Sequence, residues 1–492
     1  MDYVSTRGGN EKVSSAYAIK KGLAEDGGLF MPKEIPTLSL GEITELSGDA
    51  YTVRAAKILS KFLTDYTYDE LLLDAKEAYS EAKFGSHPAP VSSLGELGYM
   101  LELWHGPTSA FKDMALQIMP RLFVRALRKC GEERQALILV ATSGDTGKAA
   151  LEGYRDVPGT MVKVFYPTGG VSSVQKLQMQ TQEGSNVSVS GIRGNFDDAQ
   201  TGVKRIFSDP EIRERLNDSG VFLSSANSIN WGRLVPQIVY YVSAYCDLVK
   251  DGKITLGDKI DVCVPTGNFG NIFAGYIAKL MGLPIEKLVC ASNKNDVLTE
   301  FFKTGRYNRL RDFHTTMSPS MDILISSNLE RLLFVTLGAE KTRAYMEELS
   351  KSGSYQLTKD DLALITRDFV GYSANEDDCA KTVKKIYEEK NCLIDTHTAV
   401  AVYATECYIN ANKAERKVVT VSTASAYKFA RDVYKSLTDT EEDDLEALSA
   451  LCRYTGVEIP KPLFGLSEKK IIHDGVISKD EMEAETERFA RA

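Results

Sequence analysis

The chain has 492 residues, 59 of them Lys or Arg and 68 Asp or Glu, for a formal net charge of −9. With 43% hydrophobic and 26% charged residues it has the composition of an ordinary globular protein, and a mild negative charge spread over this length excludes nucleic acid as the main partner. No apolar run approaches the roughly 20 residues needed to cross a bilayer. The opening Met1–Arg7 has neither the basic nor the apolar region of a secretory signal. A cytoplasmic location without membrane association is therefore expected. Eight cysteines without a C-x-x-C pair read as thiols in a reducing compartment, and no metal site is expected.

Residues 1–88 read as a mainly helical N-terminal domain. A short strand and the turn Asp26-Gly27-Gly28 precede Ile43–Ser47 and Tyr51–Thr64, which carry apolar residues at helical spacing. Pro88 and Pro90 mark a boundary. Between 89 and 436 an apolar run ends four times in a Gly- or Ser-rich loop and passes into a helical pattern. Ala136–Thr142 leads through Ser143-Gly144-Asp145-Thr146-Gly147 into Lys148–Tyr154, and Met161–Tyr166 leads through Pro167-Thr168-Gly169-Gly170 into Val171–Gln180. Ile260–Val264 leads through Pro265–Asn271 into Ile272–Met281, and Val418–Val421 leads through Ser422-Thr423-Ala424-Ser425 into Ala426–Lys435. Strands alternating with helices predict an α/β fold of doubly wound parallel sheets covered on both faces. A smaller α/β domain is expected to be nested at about 115–235. Ligands of such sheets bind at the carboxyl ends of the strands, where these loops lie. Residues 437–492 read as a charged helical tail on the outside.

Gly267-Asn268-Phe269-Gly270-Asn271 joins a strand to a helix start, where free N–H groups and the helix dipole suit a phosphate. The loop fits neither G-x-x-x-x-G-K-[ST] nor G-x-G-x-x-G, which argues against nucleoside triphosphates and nicotinamide. A tight turn without a ligand would read the same way. Ser143–Gly147 offers hydroxyl and backbone donors suited to a carboxylate, or simply a helix cap. Lys148 reads as a solvated helix residue and His105 as a hydrogen-bonded loop histidine. Lys112 stands among apolar and small residues; a partly desolvated lysine has a depressed pKa and forms Schiff bases, although most lysines are surface charges. Ser172, Ser173 and Lys176, and Asn230 with Arg233, place hydroxyl, amide and cationic groups at helix starts, as a phosphate monoester requires. A structural ion pair of Arg233 is the alternative.

Together these segments resemble the threonine synthases, pyridoxal-phosphate enzymes of fold type II. The resemblance runs from Tyr3-Val4-Ser5-Thr6-Arg7-Gly8 and Leu23–Pro32 through His105–Asp113 and Ala141–Gly147 to Pro265–Asn271, in the family's order, and its length matches the longer bacterial and fungal branch. It implies that Lys112 carries pyridoxal 5'-phosphate covalently and acts as the catalytic base. Gly267, Asn268, Phe269, Gly270 and Asn271 would cradle the cofactor phosphate, and Thr423 would stand beside the pyridine nitrogen. Ser143, Gly144, Asp145, Thr146 and Gly147 would grip the substrate carboxylate. Ser172, Ser173, Lys176, Asn230 and Arg233 would hold the substrate phosphate. The family commonly continues after Thr423 with a His-Pro pair, where this chain reads Ala424-Ser425-Ala426-Tyr427-Lys428-Phe429. The implied reaction converts O-phospho-L-homoserine and water to L-threonine and phosphate, in a monomer or homodimer. The alternatives are a phospho-lyase giving 2-oxobutyrate, phosphate and ammonia, a dehydratase of unphosphorylated amino acids, and a ligand-binding protein that kept the fold.

Overall fold

The computed structural model describes residues 1–9, 11–169, 171–413 and 415–491; Gly170, at the end of the second glycine-rich loop, lies outside the described residues. The apolar runs are strands buried along their length. Every residue of Ile260–Pro265 and Thr160–Pro167 is buried, and so is the centre of Gln135–Ala141. Strands this apolar need cover on both faces, which helices crossing between parallel strands provide.

The larger sheet has the spatial order Phe369–Ser373, Ile285–Ser292, Ile260–Pro265, Val418–Ser422, Tyr99–Glu102, Val91–Ser93. Its neighbours are parallel except for the last, antiparallel pair. Strand order reverses between Ile260–Pro265 and Val418–Ser422, so the loops after these two strands leave the sheet next to each other, at the place where such sheets bind ligands. The smaller sheet is wholly parallel, in the order Val476–Ile477, Val187–Ile192, Thr160–Pro167, Gln135–Ala141, Val221–Ser224.

The tail holds helices Asp444–Thr455 and Met482–Ala490, and it also supplies that edge strand. Two residues carry no alternation, so the pattern cannot announce Val476–Ile477. The tail is anchored to the small sheet by Lys163, whose fully buried ammonium lies 2.7 Å from Glu485 Oε1 and donates to Ser188 Oγ and Ser190 Oγ, both at 2.8 Å. Glu485→Ala leaves that ammonium without its carboxylate. Unfolding free energy, measured by denaturant titration, is expected to drop by about 3 kcal/mol; a change within 0.5 kcal/mol, the usual range for a surface substitution, would contradict this.

In the N-terminal region Tyr3–Ser5 pairs antiparallel with Phe30–Pro32. Helices Leu40–Gly48 and Tyr68–Ala78 start at capping boxes, Ser39 with Glu42 and Thr67 with Glu70. Trp231, fully buried on helix Trp231–Leu234, packs its ring 5.6 Å from Tyr3 and 5.8 Å from Phe62, which seats this region against that helix. The fourth strand–loop unit differs from its reading. Ser425 accepts a hydrogen bond from Tyr427 N at 3.3 Å, a 3-10 turn covers Ala426–Phe429, and the α-helix begins only at Ala430. That turn drives Lys428 into the interior. Among the described residues no helix is long and apolar enough to cross a membrane.

Candidate active site

Lys112 stands at the start of helix Asp113–Leu116, at the end of a loop whose shape is set internally. Asp113 is buried and accepts hydrogen bonds from Thr108 N and Thr108 Oγ1, both at 2.8 Å; burial pushes its carboxyl up to about 6. A Cβ on Gly106 would lie 2.6 Å from Asp113 and 2.7 Å from Phe84, so only glycine lets the loop close. Three backbone bonds lace this loop to the one after Val418–Ser422. Leu103 N donates to Ser422 O at 3.0 Å, Phe111 N to Thr423 O at 2.8 Å, and Ser425 N to Ser109 O at 3.1 Å. Lys112 and Thr423 are thereby held in fixed relation on neighbouring strand ends.

The Lys112 side chain is buried, with Nζ 3.3 Å from both Asp145 Oδ2 and Ser320 Oγ. Asp145 Oδ1 takes a second ammonium, Lys428 Nζ, at 2.8 Å, and a hydrogen bond from Gln175 Nε2 at 2.8 Å. Lys428 is itself 0% exposed and also donates to Thr108 O and Gln178 Oε1. The charges decide the protonation states. Burial lowers the Lys112 pKa from the usual lysine range; Asp145 pulls it back up, while Arg233 and Lys428 push it down. Burial works against ionised Asp145, yet the Lys428 and Lys112 ammoniums hold it well below the carboxylate range. The arrangement is one carboxylate between two buried amines.

The loop Gly267–Asn271 approaches the same point from the neighbouring strand. A Cβ on Gly267 would lie 2.6 Å from Ser320 O, so this glycine permits the close approach of the turn Pro319–Met321 that brings Ser320 to Lys112. Phe269 adopts φ 64°, a left-handed conformation side chains rarely take, at the start of the twelve-residue helix Gly270–Met281. Asn268 is exposed, while Asn328 donates to its carbonyl from N at 3.1 Å and from Nδ2 at 2.9 Å. Asn271 is buried; its Oδ1 accepts from the hydroxyls of Tyr240 and Tyr241, both at 2.6 Å, and its Nδ2 has no partner among the described residues. A second layer supports Ser320. Its N–H donates to His397 Nε2 at 3.1 Å, and His397 Nδ1 lies 2.8 Å from buried Asp395 Oδ2, which assigns the proton to Nδ1.

The other residues named from sequence divide. Ser143 and Thr146 are half-buried beside Asp145, but the N–H groups of Gly144 and Gly147 both donate to Thr142 Oγ1 at 3.0 Å. Those two donors serve the turn rather than a ligand, and Asp145, an anion, serves the lysines. Ser172 caps helix Ser173–Gln180, while Ser173 is exposed and gives its N–H to Asp444 Oδ2 at 2.7 Å. Lys176 is half-buried on that helix. Asn230 is a correction: it accepts from Gly232 N and donates to Ile19 O, both at 2.8 Å, so it caps a helix and ties down the N-terminal region instead of facing a phosphate. Arg233 is buried, donates to Ala226 O at 2.7 Å, and is lowered by burial to about 10; no ion pair occupies it among the described residues. Lys148 is also a correction, since its side chain is only 11% exposed and pairs with Glu152 at 3.1 Å. His105 bonds Glu102 at 2.8 Å as a loop histidine. Lys428, Ser320, Gln175 and the His397–Asp395 pair were not singled out by sequence. Lys428, a charge inside Ala426–Phe429, carried the same signal as Lys112.

This donor set fits pyridoxal phosphate. A buried amine with a depressed pKa supplies the covalent anchor. A glycine-bearing loop at a long helix start, with an orphaned buried amide at Asn271, supplies an anion cradle beside it.

Comparison with known proteins gives the same assignment. Residues 2–79 match the family model described as Threonine synthase N terminus, and residues 90–424 that of Pyridoxal-phosphate dependent enzyme. The chain is 39% identical over 470 residues to threonine synthase of Schizosaccharomyces pombe, covering 89% of both chains. It is 43% identical over 448 residues to human threonine synthase-like 1, covering 87% of this chain and 59% of that one; the chain thus spans under two-thirds of that longer relative. The crystal structure of PLP-bound threonine synthase from Brucella melitensis matches with TM-score 0.89 and 35% identity over 100% of both chains. With the N-terminal and catalytic regions both matched, the chain belongs to the threonine synthase family of fold type II pyridoxal-phosphate-dependent enzymes.

Proposed function

We propose that the chain converts O-phospho-L-homoserine and water to L-threonine and phosphate. The observation that carries this reading is the buried cationic site at Lys112, where Lys112 and Lys428 share the Asp145 carboxylate and the charge of buried Arg233 also acts on Lys112. A substrate bearing a carboxylate and a phosphate brings negative charge to this site. A dehydratase of unphosphorylated amino acids has no phosphate to place there.

Pyridoxal phosphate, when bound, supplies the electron sink for charge that develops on the substrate carbons. The remaining roles fall to the chain. Gly267–Asn271 would hold the cofactor phosphate, and Thr423 would face the ring nitrogen. Ser143 and Thr146 orient the substrate carboxylate. The Lys112 amine, when free, would take the Cα proton and return it at the end. Its depressed pKa leaves more of it neutral near pH 7, as a base requires. Ser320 Oγ, within 3.3 Å of Nζ, keeps the free amine aimed. Arg233, with Ser172 and Lys176 as further donors, holds the substrate phosphate and stabilises it as it leaves Cγ. One Cβ proton leaves as the phosphate departs, Cγ gains a proton to become the methyl group, and water adds at Cβ with its second proton passing to the released phosphate; the Lys112 amine is the group placed to carry the proton from Cβ to Cγ.

The test is product analysis with purified protein, pyridoxal phosphate and O-phospho-L-homoserine. Threonine and phosphate are expected in equal amounts. 2-Oxobutyrate in place of threonine would make the chain a phospho-lyase, and turnover of free threonine or serine at comparable rates would make it a dehydratase.

A further inference from the structure

Arg331 has no role in the chemistry above, yet its side chain is fully buried. Its hydrogen-bond partners among the described residues are all neutral. Nη2 donates to Ile229 O at 2.6 Å and Phe30 O at 3.2 Å; Nη1 donates to Asn328 Oδ1 and, at 3.4 Å, to Ser228 O; Nε has none. A buried guanidinium held only by neutral groups is unfavourable unless a negative group shares its surroundings. Burial lowers the Arg331 pKa and the charge of neighbouring Glu330 raises it, although the Glu330 oxygens themselves are held by other donors. Glu330 Oε1 and Oε2 accept from Arg7 Nε and Nη2, both at 2.9 Å, and Oε1 accepts from Thr6 Oγ1 at 2.6 Å.

These contacts lead in one direction. Thr6, Arg7 and Phe30 belong to the two-stranded ribbon Tyr3–Ser5 with Phe30–Pro32 or to its immediate continuation. They grip Glu330 and Arg331 in the first turn of helix Leu329–Leu337. Two of the three residues just before that helix hold the loop after Ile260–Pro265: Ser326 Oγ donates to Gly267 O at 2.7 Å, and Asn328 donates twice to Asn268 O. Arg331, by bonding Asn328 Oδ1, fixes which way the Asn328 amide faces, so that Nδ2 points at Asn268 O and Ser228 Oγ.

We infer that the N-terminal ribbon is a clamp on the cofactor-phosphate loop, in which Arg7 and Thr6 fix Glu330 while Arg331 orients Asn328 and supplies positive charge behind the phosphate. The inference rests on the reading of Gly267–Asn271 as the phosphate cradle. Arg7, Glu330, Arg331 and Asn328 are then positioning residues for an anion they need not touch.

The test titrates cofactor-free protein with pyridoxal phosphate and, separately, with pyridoxal, which lacks the phosphate. Arg7→Gln and Arg331→Gln are expected to weaken pyridoxal phosphate binding on the order of tenfold and to leave pyridoxal binding unchanged. Arg7→Lys should recover part of the loss by restoring one charge opposite Glu330. Arg7 is 31% exposed at its side chain, so Arg7→Gln decides the matter if Arg331→Gln does not fold. Unchanged pyridoxal phosphate affinity in Arg7→Gln, or equal losses for both probes, overturns the clamp. Asn271→Ala separates the two layers. If it weakens pyridoxal phosphate binding while Arg7→Gln does not, the cradle stands and the clamp falls; if it has no effect, the cradle reading falls and takes the clamp with it.

Discussion

Lys112→Ala is expected to abolish turnover of O-phospho-L-homoserine, by at least about a thousandfold, and to remove the absorption band that the cofactor gains on covalent attachment. The variant should still fold. Removing the Lys112 ammonium leaves Asp145 with Lys428 at 2.8 Å and Gln175 at 2.8 Å, so the buried carboxylate stays paired. A circular dichroism spectrum like the parent's, together with lost activity, assigns the loss to chemistry. Full turnover would place the reacting amine elsewhere, and Lys428 would be the next amine to replace.

The second large effect comes from the partner amine. Lys428→Met removes the nearer of the two ammoniums on Asp145 and leaves the carboxylate with Lys112 at 3.3 Å. Breaking a buried pair in this way is expected to lower unfolding free energy by about 3 kcal/mol. It should also move the acidic limb of the pH–rate profile. The Lys428 charge is among the influences that lower Lys112, with burial first and Arg233 acting the same way. Without it the Lys112 pKa rises, less of the amine is neutral at a given pH, and the limb shifts to higher pH. Asp145→Asn acts oppositely, because the carboxylate is what raises Lys112; its limb should shift to lower pH. The pH dependence of Lys112 acylation in cofactor-free protein, followed by peptide mass mapping, checks both directions without turnover. Shifts of the same sign in the two variants would refute the electrostatic account.

What the sequence made legible was whatever is local. The loops Ser143–Gly147, Gly267–Asn271 and Ser422–Ser425 each follow an apolar strand; the last two leave neighbouring strands of the larger sheet, and the first, from the smaller sheet, brings Asp145 to Lys112. Direction within a loop was not legible. Nothing in Asn230-Trp231-Gly232-Arg233 tells that Asn230 turns to Ile19 O while Arg233 is buried and donates to Ala226 O. Contributions from far along the chain were least visible. Ser320 reaches Lys112 across 208 positions and Glu330 reaches Arg7 across 323, from segments with no glycine loop of their own. Such residues carry chemistry only because the fold delivers them, and spacing along the chain records no trace of the delivery. Lys428 belongs between these cases: its apolar neighbours carried a signal, but it was not singled out, and the 3-10 turn that buries it replaces the helix expected from Ala426.

The tail strand has a consequence for how the protein is made. Lys163 waits for Glu485, which lies 322 positions later, and the edge of Val187–Ile192 waits for Val476–Ile477. At translation rates of about 5–20 residues per second, that interval lasts on the order of tens of seconds. During it the nascent small sheet presents an unpaired edge to solvent, the kind of edge that recruits strands from other chains, and it carries a lysine with no carboxylate opposite. The small sheet therefore finishes maturing only when the tail emerges, and this delay is the window in which ribosome-associated chaperones have most to protect.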